Sequence, residues 1–153
     1  MEKSPPKAFF LENVKGLLSH DSGSTYETIL HILCEELNYY VPTPELLNAK
    51  DFGLPQNRER VFIVGFRKDQ VKAGKNFGFP QPAKVRGKTL KDILEKEIVS
   101  VKYYLSNTYM DTLKRHKIRH KKKGNGFGYR VLDPKKGDIA GAIVIGGMGK
   151  ERN

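Results

Sequence analysis

Two short groups of residues carry the chemistry this sequence offers. Glu12, followed by Asn13 and Val14, ends the apolar run Ala8–Glu12. A carboxyl at the tip of such a run lies at the C-terminal edge of a sheet, where open α/β folds place their ligands; the plain alternative is an acid facing water. Farther along, Gln56-Asn57-Arg58-Glu59-Arg60 leads into the most strand-like run of the chain. Alternation puts Arg58 and Arg60 on one side, so two guanidinium groups can converge on one anion or carbonyl; the plain alternative is a charged strand entry. The loop Asn48–Pro55 feeding this run reads by itself as ordinary turn chemistry.

Other candidates are weaker. Seven of the ten residues from Lys114 to Lys123 are Lys or Arg, and a glycine-rich stretch, Gly124–Gly128, follows. It lacks the Lys-Ser/Thr ending of a phosphate loop. His116 and His120 have the spacing of a zinc pair on a helix, but no third ligand is near and the surrounding cations repel a metal, so none is expected. Cys34 stands between Leu33 and Leu37 with no proline before it, the setting of a packed core residue. As the single cysteine it excludes an internal disulfide and a cysteine-based zinc site.

The elements that must position these groups follow from pattern. Strands are expected at Ala8–Glu12, a buried run, at Tyr39–Leu47, interrupted by two prolines and so near an edge, and at Arg60–Phe66. Ser24 and Glu27 form a capping box for a helix carrying Tyr26, Ile29, Leu30, Leu33 and Leu37. Strand, helix, strand, strand is the order of one side of an α/β sheet. The three strands should be sheet neighbours, the last two antiparallel because a short loop joins them. Residues 68–87 read as a surface connection, Thr89 caps a short helix to about Lys96, and Ile139–Ile145 is a candidate strand. The chain of 153 residues carries 28 Lys and Arg against 17 Asp and Glu, a net charge of +11 that favours a polyanionic partner. No apolar run approaches the roughly 20 residues of a spanning helix, and the polar N-terminus is unlike a signal peptide, so a soluble intracellular protein is expected.

Taken together, Phe9–Leu17 resembles the Glu-Asn-Val motif of the DNA cytosine-5 methyltransferases, and Leu47–Val61 resembles that family's Asn-Ala segment running into its Gln-x-Arg-x-Arg motif. The likeness is close over residues 8–67. Beyond Tyr103, Lys123–Tyr129 and Gly146–Asn153 are similar to the target-recognition region of bacterial restriction-modification members. The resemblance implies part of an S-adenosylmethionine-dependent, Rossmann-like α/β sheet over residues 1–84, then a small, mostly β, truncated target-recognition segment over 85–153. It implies S-adenosylmethionine as cofactor, double-stranded DNA as partner and a bacterial, cytoplasmic, nucleoid-associated setting.

Carbon 5 of cytosine is a poor nucleophile, so a thiolate must first add to carbon 6 of a base flipped out of the duplex. The resemblance assigns Glu12 to hold a proton at the neighbouring ring nitrogen, Arg60 to the carbonyl oxygen and Arg58 to the nearby loop or a phosphate. Asn13 orders the turn beneath the base, and Gln56 is a further substrate-binding candidate. In the basic region Lys114, Arg115, Lys117, Arg119, Lys121, Lys122 and Lys123 are candidates for phosphate contact, and Asn125, Tyr129 and Arg130 for base edges. The sequence departs from the family in lacking a Pro-Cys motif and the glycine-rich cofactor turn. The chain alone is therefore expected to be inactive. A complementary fragment, self-association or a non-catalytic DNA-binding or regulatory role stays open.

Overall fold

A computed structural model describes residues 5–82, 87–125 and 128–142. The chain divides into two compact units, Met1–Gly87 with Gly141–Asn153, and Lys88–Ala140.

The first unit is built round one strand. Its nine residues, Glu59–Arg67 (β5), include Val61, Ile63 and Val64 among the most buried side chains, so both faces of the strand are covered. Their β-branched stems suit a pleated, enclosed position. Ala8–Val14 (β1) pairs antiparallel with one edge, from Ala8 opposite Phe66 to Val14 opposite Arg60. Tyr39–Tyr40 (β2) and Glu45–Asn48 (β3) share the other edge, also antiparallel. Tyr40 faces Phe66 and Glu45 faces Phe62, so residues 41–44 span four positions against three on β5. That extra residue falls where Pro42 and Pro44 cannot donate to a ladder, and the strand bulges there. Gln56–Asn57 (β4) is a two-residue segment just before β5.

Packing fixes the alignment. Phe9 lies directly opposite Gly65, and a methyl group on Gly65 would stand 2.2 Å from the Phe9 ring. Tyr39 meets the same ring edge-on at 5.0 Å. On the other face a short helix, Val71–Lys75 (α2), brings Gly74 against Tyr40 and Phe66. The N-terminal segment is tied along the sheet by Tyr39 Oη donating to the Pro6 carbonyl at 2.7 Å and Arg67 Nη1 to that of Pro5 at 2.8 Å. Arg67 also grips Asp69 with two bonds, 2.8 and 2.9 Å. These, with Gln70, hold the Asp69 carboxyl well below the usual range.

Several expectations need correction. β1 runs two residues past Glu12 and is mostly exposed rather than buried, because β5 is its single strand partner among the described residues. It neighbours β5 but not β2 or β3, and every pair in the described sheet is antiparallel. The helix Ser24–His31 (α1) is capped by Gly23, with φ +95°, and Ser24 is its first residue rather than its cap. It continues as a wider π turn, Ile32–Glu36, which holds a half-buried Cys34.

In the second unit the capping box of Thr89 and Asp92 forms, but it starts one 3-10 turn, Leu90–Asp92, instead of a helix to Lys96. The long element is a helix, Asn107–Lys122 (α3), capped by Ser106 Oγ accepting from Tyr109 N–H at 3.2 Å. Its half-buried residues, Tyr109, Met110, Thr112, Leu113, His116 and His120, lie along one side of the helix. The mostly β character expected after residue 85 is thus overturned in the described part of this unit. Lys, Arg and Leu are strong helix formers, and Ile118 is the single β-branched residue from Leu113 to Lys122. Of the expected strand at Ile139–Ile145, Ala140–Gly141 is extended and residues from 143 on lie outside the described residues, as do the Gly146–Asn153 segment, Gly126 and Phe127.

Gly65→Ala should destabilise the chain by about 1–3 kcal/mol through overpacking, read as a lowered urea midpoint, and adding Phe9→Leu should restore part of it. Asp69 has a lower pKa folded than unfolded, so its contribution is present above the ordinary carboxylate range and fades as pH falls through the folded value. Asp69→Asn should therefore lower the midpoint at neutral pH, and the gap to the parent should narrow from about pH 5 toward about pH 2.

Candidate active site

Residues directly opposed across an antiparallel pair share a face, as do alternate residues along each strand. Glu12 lies opposite Phe62, and Arg60 opposite Val14, so both charged side chains emerge on one face. Arg60 Nε meets Glu12 Oε1 at 2.7 Å, and Arg58 Nη2 meets the same oxygen at 3.5 Å. Val14 on one side and Leu47 on the other flank Arg60 in the ladder. Its side chain is 18% exposed against 41% for Glu12, so the cation is the anchored member and the acid the accessible one. Arg60 Nη1 donates to its neighbour's carbonyl, Glu59 O, at 2.8 Å. Glu59 faces the other way, where Lys15 Nζ holds both its oxygens at 3.1 Å. Glu12 Oε2 accepts and Arg60 Nη2 donates no hydrogen bond among the described residues.

Arg58 sits at the break between β4 and β5, where the regular ladder gives out. Asn48 fills the gap. Its Oδ1 accepts from Arg58 N–H at 3.0 Å and from Lys50 N–H at 3.3 Å, while its Nδ2 donates to Asn57 Oδ1 at 2.6 Å. The Arg58 carbonyl accepts from Ala49 N–H at 3.1 Å. A 3-10 turn, Ala49–Phe52, then closes on Gly53 at φ +83°, a conformation glycine adopts freely. Sequence reasoning missed Asn48 as a site residue; an Asx side chain starting a glycine-closed turn beside the arginine pair was the available signal.

The other candidates fall in three places. Asn13 Oδ1 accepts from Val14 N–H at 2.8 Å, a local bond at the strand end, and Gln56 lies half-buried on β4. Lys114, Arg115, Lys117, Arg119, Lys121 and Lys122 ride on α3, with Lys123 at its C-terminal cap. Asn125 Oδ1 bonds His120 Nδ1 at 2.7 Å, the Tyr129 carbonyl accepts from Lys117 Nζ at 3.1 Å, and Arg130 lies 3.8 Å from Asp138. The geometry brings Glu12, Arg58 and Arg60 together in the first unit. The basic residues form a separate group in the second.

Neither a thiol nucleophile nor a metal centre stands out. Burial and then the Glu35 charge push the Cys34 thiol up, away from the reactive thiolate. Among the described residues no three His, Cys, Asp or Glu side chains converge, and no helix is long and apolar enough to cross a membrane. A cradle for S-adenosylmethionine would need a glycine turn lying open beside a strand end. The turn after β1, Lys15–Gly23, does not fit: its two glycines, Gly16 and Gly23, stand near its ends, and between them Asp21 and Ser22 take up the bend at φ +50° and +55°.

Comparison with known proteins gives the arrangement its context. The model of the C-5 cytosine-specific DNA methylase family matches residues 1–150. Over 154 aligned residues, all of this chain, it is 56% identical to the Type II methyltransferase M.HpaII of Haemophilus parainfluenzae, covering 41% of that protein. Over 87% of the chain it is 45% identical to M1.ScrFI of Lactococcus lactis subsp. cremoris and 46% identical to M.SsoII of Shigella sonnei, covering 33% and 34% of them. The chain thus spans well under half the length of these relatives.

Asn48→Ala removes three side-chain bonds and should cost about 1–3 kcal/mol in urea unfolding. Asn48→Asp keeps both accepting bonds, and Asn57 can turn its amide to donate, so its loss should be less than half as large.

Proposed function

Because the chain belongs to the C-5 cytosine-specific DNA methylase family, we propose that it is the part of a DNA cytosine-5 methyltransferase that holds the flipped cytosine during methyl transfer. One observation carries this reading: Arg58 and Arg60, two residues apart at the start of β5, both meet the same oxygen of Glu12, and the other oxygen accepts no hydrogen bond among the described residues. A cytosine presents a ring nitrogen next to its carbonyl oxygen. Glu12 Oε2 can share a proton with the first, and Arg60 Nη2 can donate to the second. When a thiolate adds to carbon 6, charge builds on the ring nitrogen, and a proton held there by Glu12 stabilises it. Arg58 keeps the carboxyl oriented, and Asn13 and Gln56 shape the floor and rim of the site. S-adenosylmethionine is the methyl donor of the whole enzyme in this reading, and these residues hold the base.

The region from about residue 85 is the start of the target-recognition segment, with its basic run set against duplex DNA. The 153 residues on their own contain no Pro-Cys nucleophile, and by themselves they should not turn over. A second form of the same reading is one subunit of a split methyltransferase. The edge of β1 that has no strand partner among the described residues, with Phe10 63% and Val14 51% exposed, favours it: such an edge and its apolar faces call for a complementary segment or a second copy.

In an enzyme completed with a segment bearing the Pro-Cys motif, Glu12→Gln should cut kcat by roughly two to four orders of magnitude while leaving duplex affinity unchanged. Full activity of that variant would overturn the role given to Glu12, and a completed parent that binds duplex DNA without turnover would leave the motif residues as relics in a non-catalytic DNA-binding protein.

A further inference from the structure

From residue 112 to residue 132 the sequence has eight Lys and Arg and no acid, yet these cations are not equivalent in the fold. Some are already engaged. Lys114 pairs with Asp111 at 3.1 Å, and Arg115 Nη2 lies 3.4 Å from Thr112 Oγ1. Lys117 donates to the Tyr129 carbonyl at 3.1 Å, and its ammonium sits 4.7 Å from the centre of the Tyr129 ring. The returning chain rests on its stem, since a methyl on Gly128 would meet Lys117 Cγ at 2.8 Å. A lysine so held by carbonyl, ring and backbone is a strut.

The end of α3 is different. Arg119, Lys121, Lys122 and Lys123 are exposed and have no polar side-chain partner among the described residues. A cation or two in the last turn complements the helix dipole. Four exceed that need, and Lys117 with Lys121, Arg119 with Lys122 and Arg119 with Lys123 set like charges three or four residues apart, which strains the helix. Burial, then His120 and Arg119, hold His116 below the usual imidazole range, in keeping with the crowding of positive charge.

We infer that the last turn of α3, through Arg119, Lys121, Lys122 and Lys123, grips the phosphate backbone of duplex DNA, and that Lys117 is a positioning residue that holds Tyr129. The inference rests on the reading that the basic run faces DNA, and it divides a run that charge alone leaves uniform. A polyanion relieves the repulsion in the last turn. The Lys117 strut, already satisfied, has little to gain from a phosphate.

Binding of the purified chain to a fluorescent 20-bp duplex, followed by anisotropy from about 50 to 250 mM salt, separates the two roles. The combined R119Q/K121Q/K122Q/K123Q variant should flatten the slope of log affinity against log salt by about 3.6, at about 0.9 for each phosphate no longer neutralised. Glutamine keeps helix propensity; should circular dichroism show helix loss even so, Lys121→Gln and Lys122→Gln singly should each cost about 0.9 in slope. Lys117→Gln should leave the slope unchanged and lower affinity alike at every salt concentration, with Lys117→Arg restoring it through the same carbonyl and ring. A slope decrease of about 0.9 from Lys117→Gln, or an unchanged slope in the combined variant, would overturn the division. A parent chain with no salt-dependent binding would overturn the DNA reading and the division with it.

Discussion

The antiparallel register of β1 against β5 is the constraint on which the candidate site depends. A strand has a side-chain period of two, so a slip of one residue would send Glu12 to the face opposite Arg60. Phe9 and Gly65 guard against that slip from the far end of the pair. The ring occupies the space a side chain on Gly65 would fill, and Gly65 is the one residue of β5 without a side chain. An aromatic lying over a glycine at one end of a ladder thus fixes an ion pair at the other.

The site is assembled from side chains on two strands and one loop, and each element does a separate job. β5 presents Arg60 between Val14 and Leu47, which limits where its guanidinium can go. The loop presents Arg58 on backbone bonds to Asn48 and Ala49, independent of the ladder. β1 presents Glu12 from an exposed strand. Arg60 is therefore enclosed along its side chain, Arg58 is held at its backbone, and the acid is approachable, which suits the proposed reading in which the acid meets a substrate.

Much of this is legible in the sequence, and the misses have physical causes. Alternation leads to the convergence of Arg58 and Arg60, although the loop and not the strand holds Arg58, and the prolines lead to the interruption of the second strand. The exposure of β1 is not legible, because Phe9-Phe10-Leu11 is apolar enough to be buried and the sequence does not state how many neighbours it has. Ser24 reads as a cap because its residue type suits one, but the preceding Gly23, in a left-handed conformation, has already turned the chain. The second unit misleads for a similar reason. Glycines and a family likeness suggest strands, whereas the charged run between them is composed of helix formers with a serine cap before it. Asn48 is visible only as a turn residue, since its three bonds reach partners from two to ten positions away.

The bulge at residues 41–44 acts as a phase shifter. Before it Tyr40 shares a face with Phe66; after it Glu45 and Leu47 share a face with Phe62 and Arg60, so the strand leaves the prolines with its parity reversed. In the unbulged register Asn48 would stand opposite Arg58 rather than Glu59, locked in the ladder in place of bridging its end. Length, more than identity, is what this stretch must conserve. Many residue types can fill Val41–Pro44, but losing one position would exchange the inward and outward faces of β3 and disturb Arg58, fourteen residues beyond Pro44. Here a deletion far from the carboxylate would do more harm than most substitutions beside it.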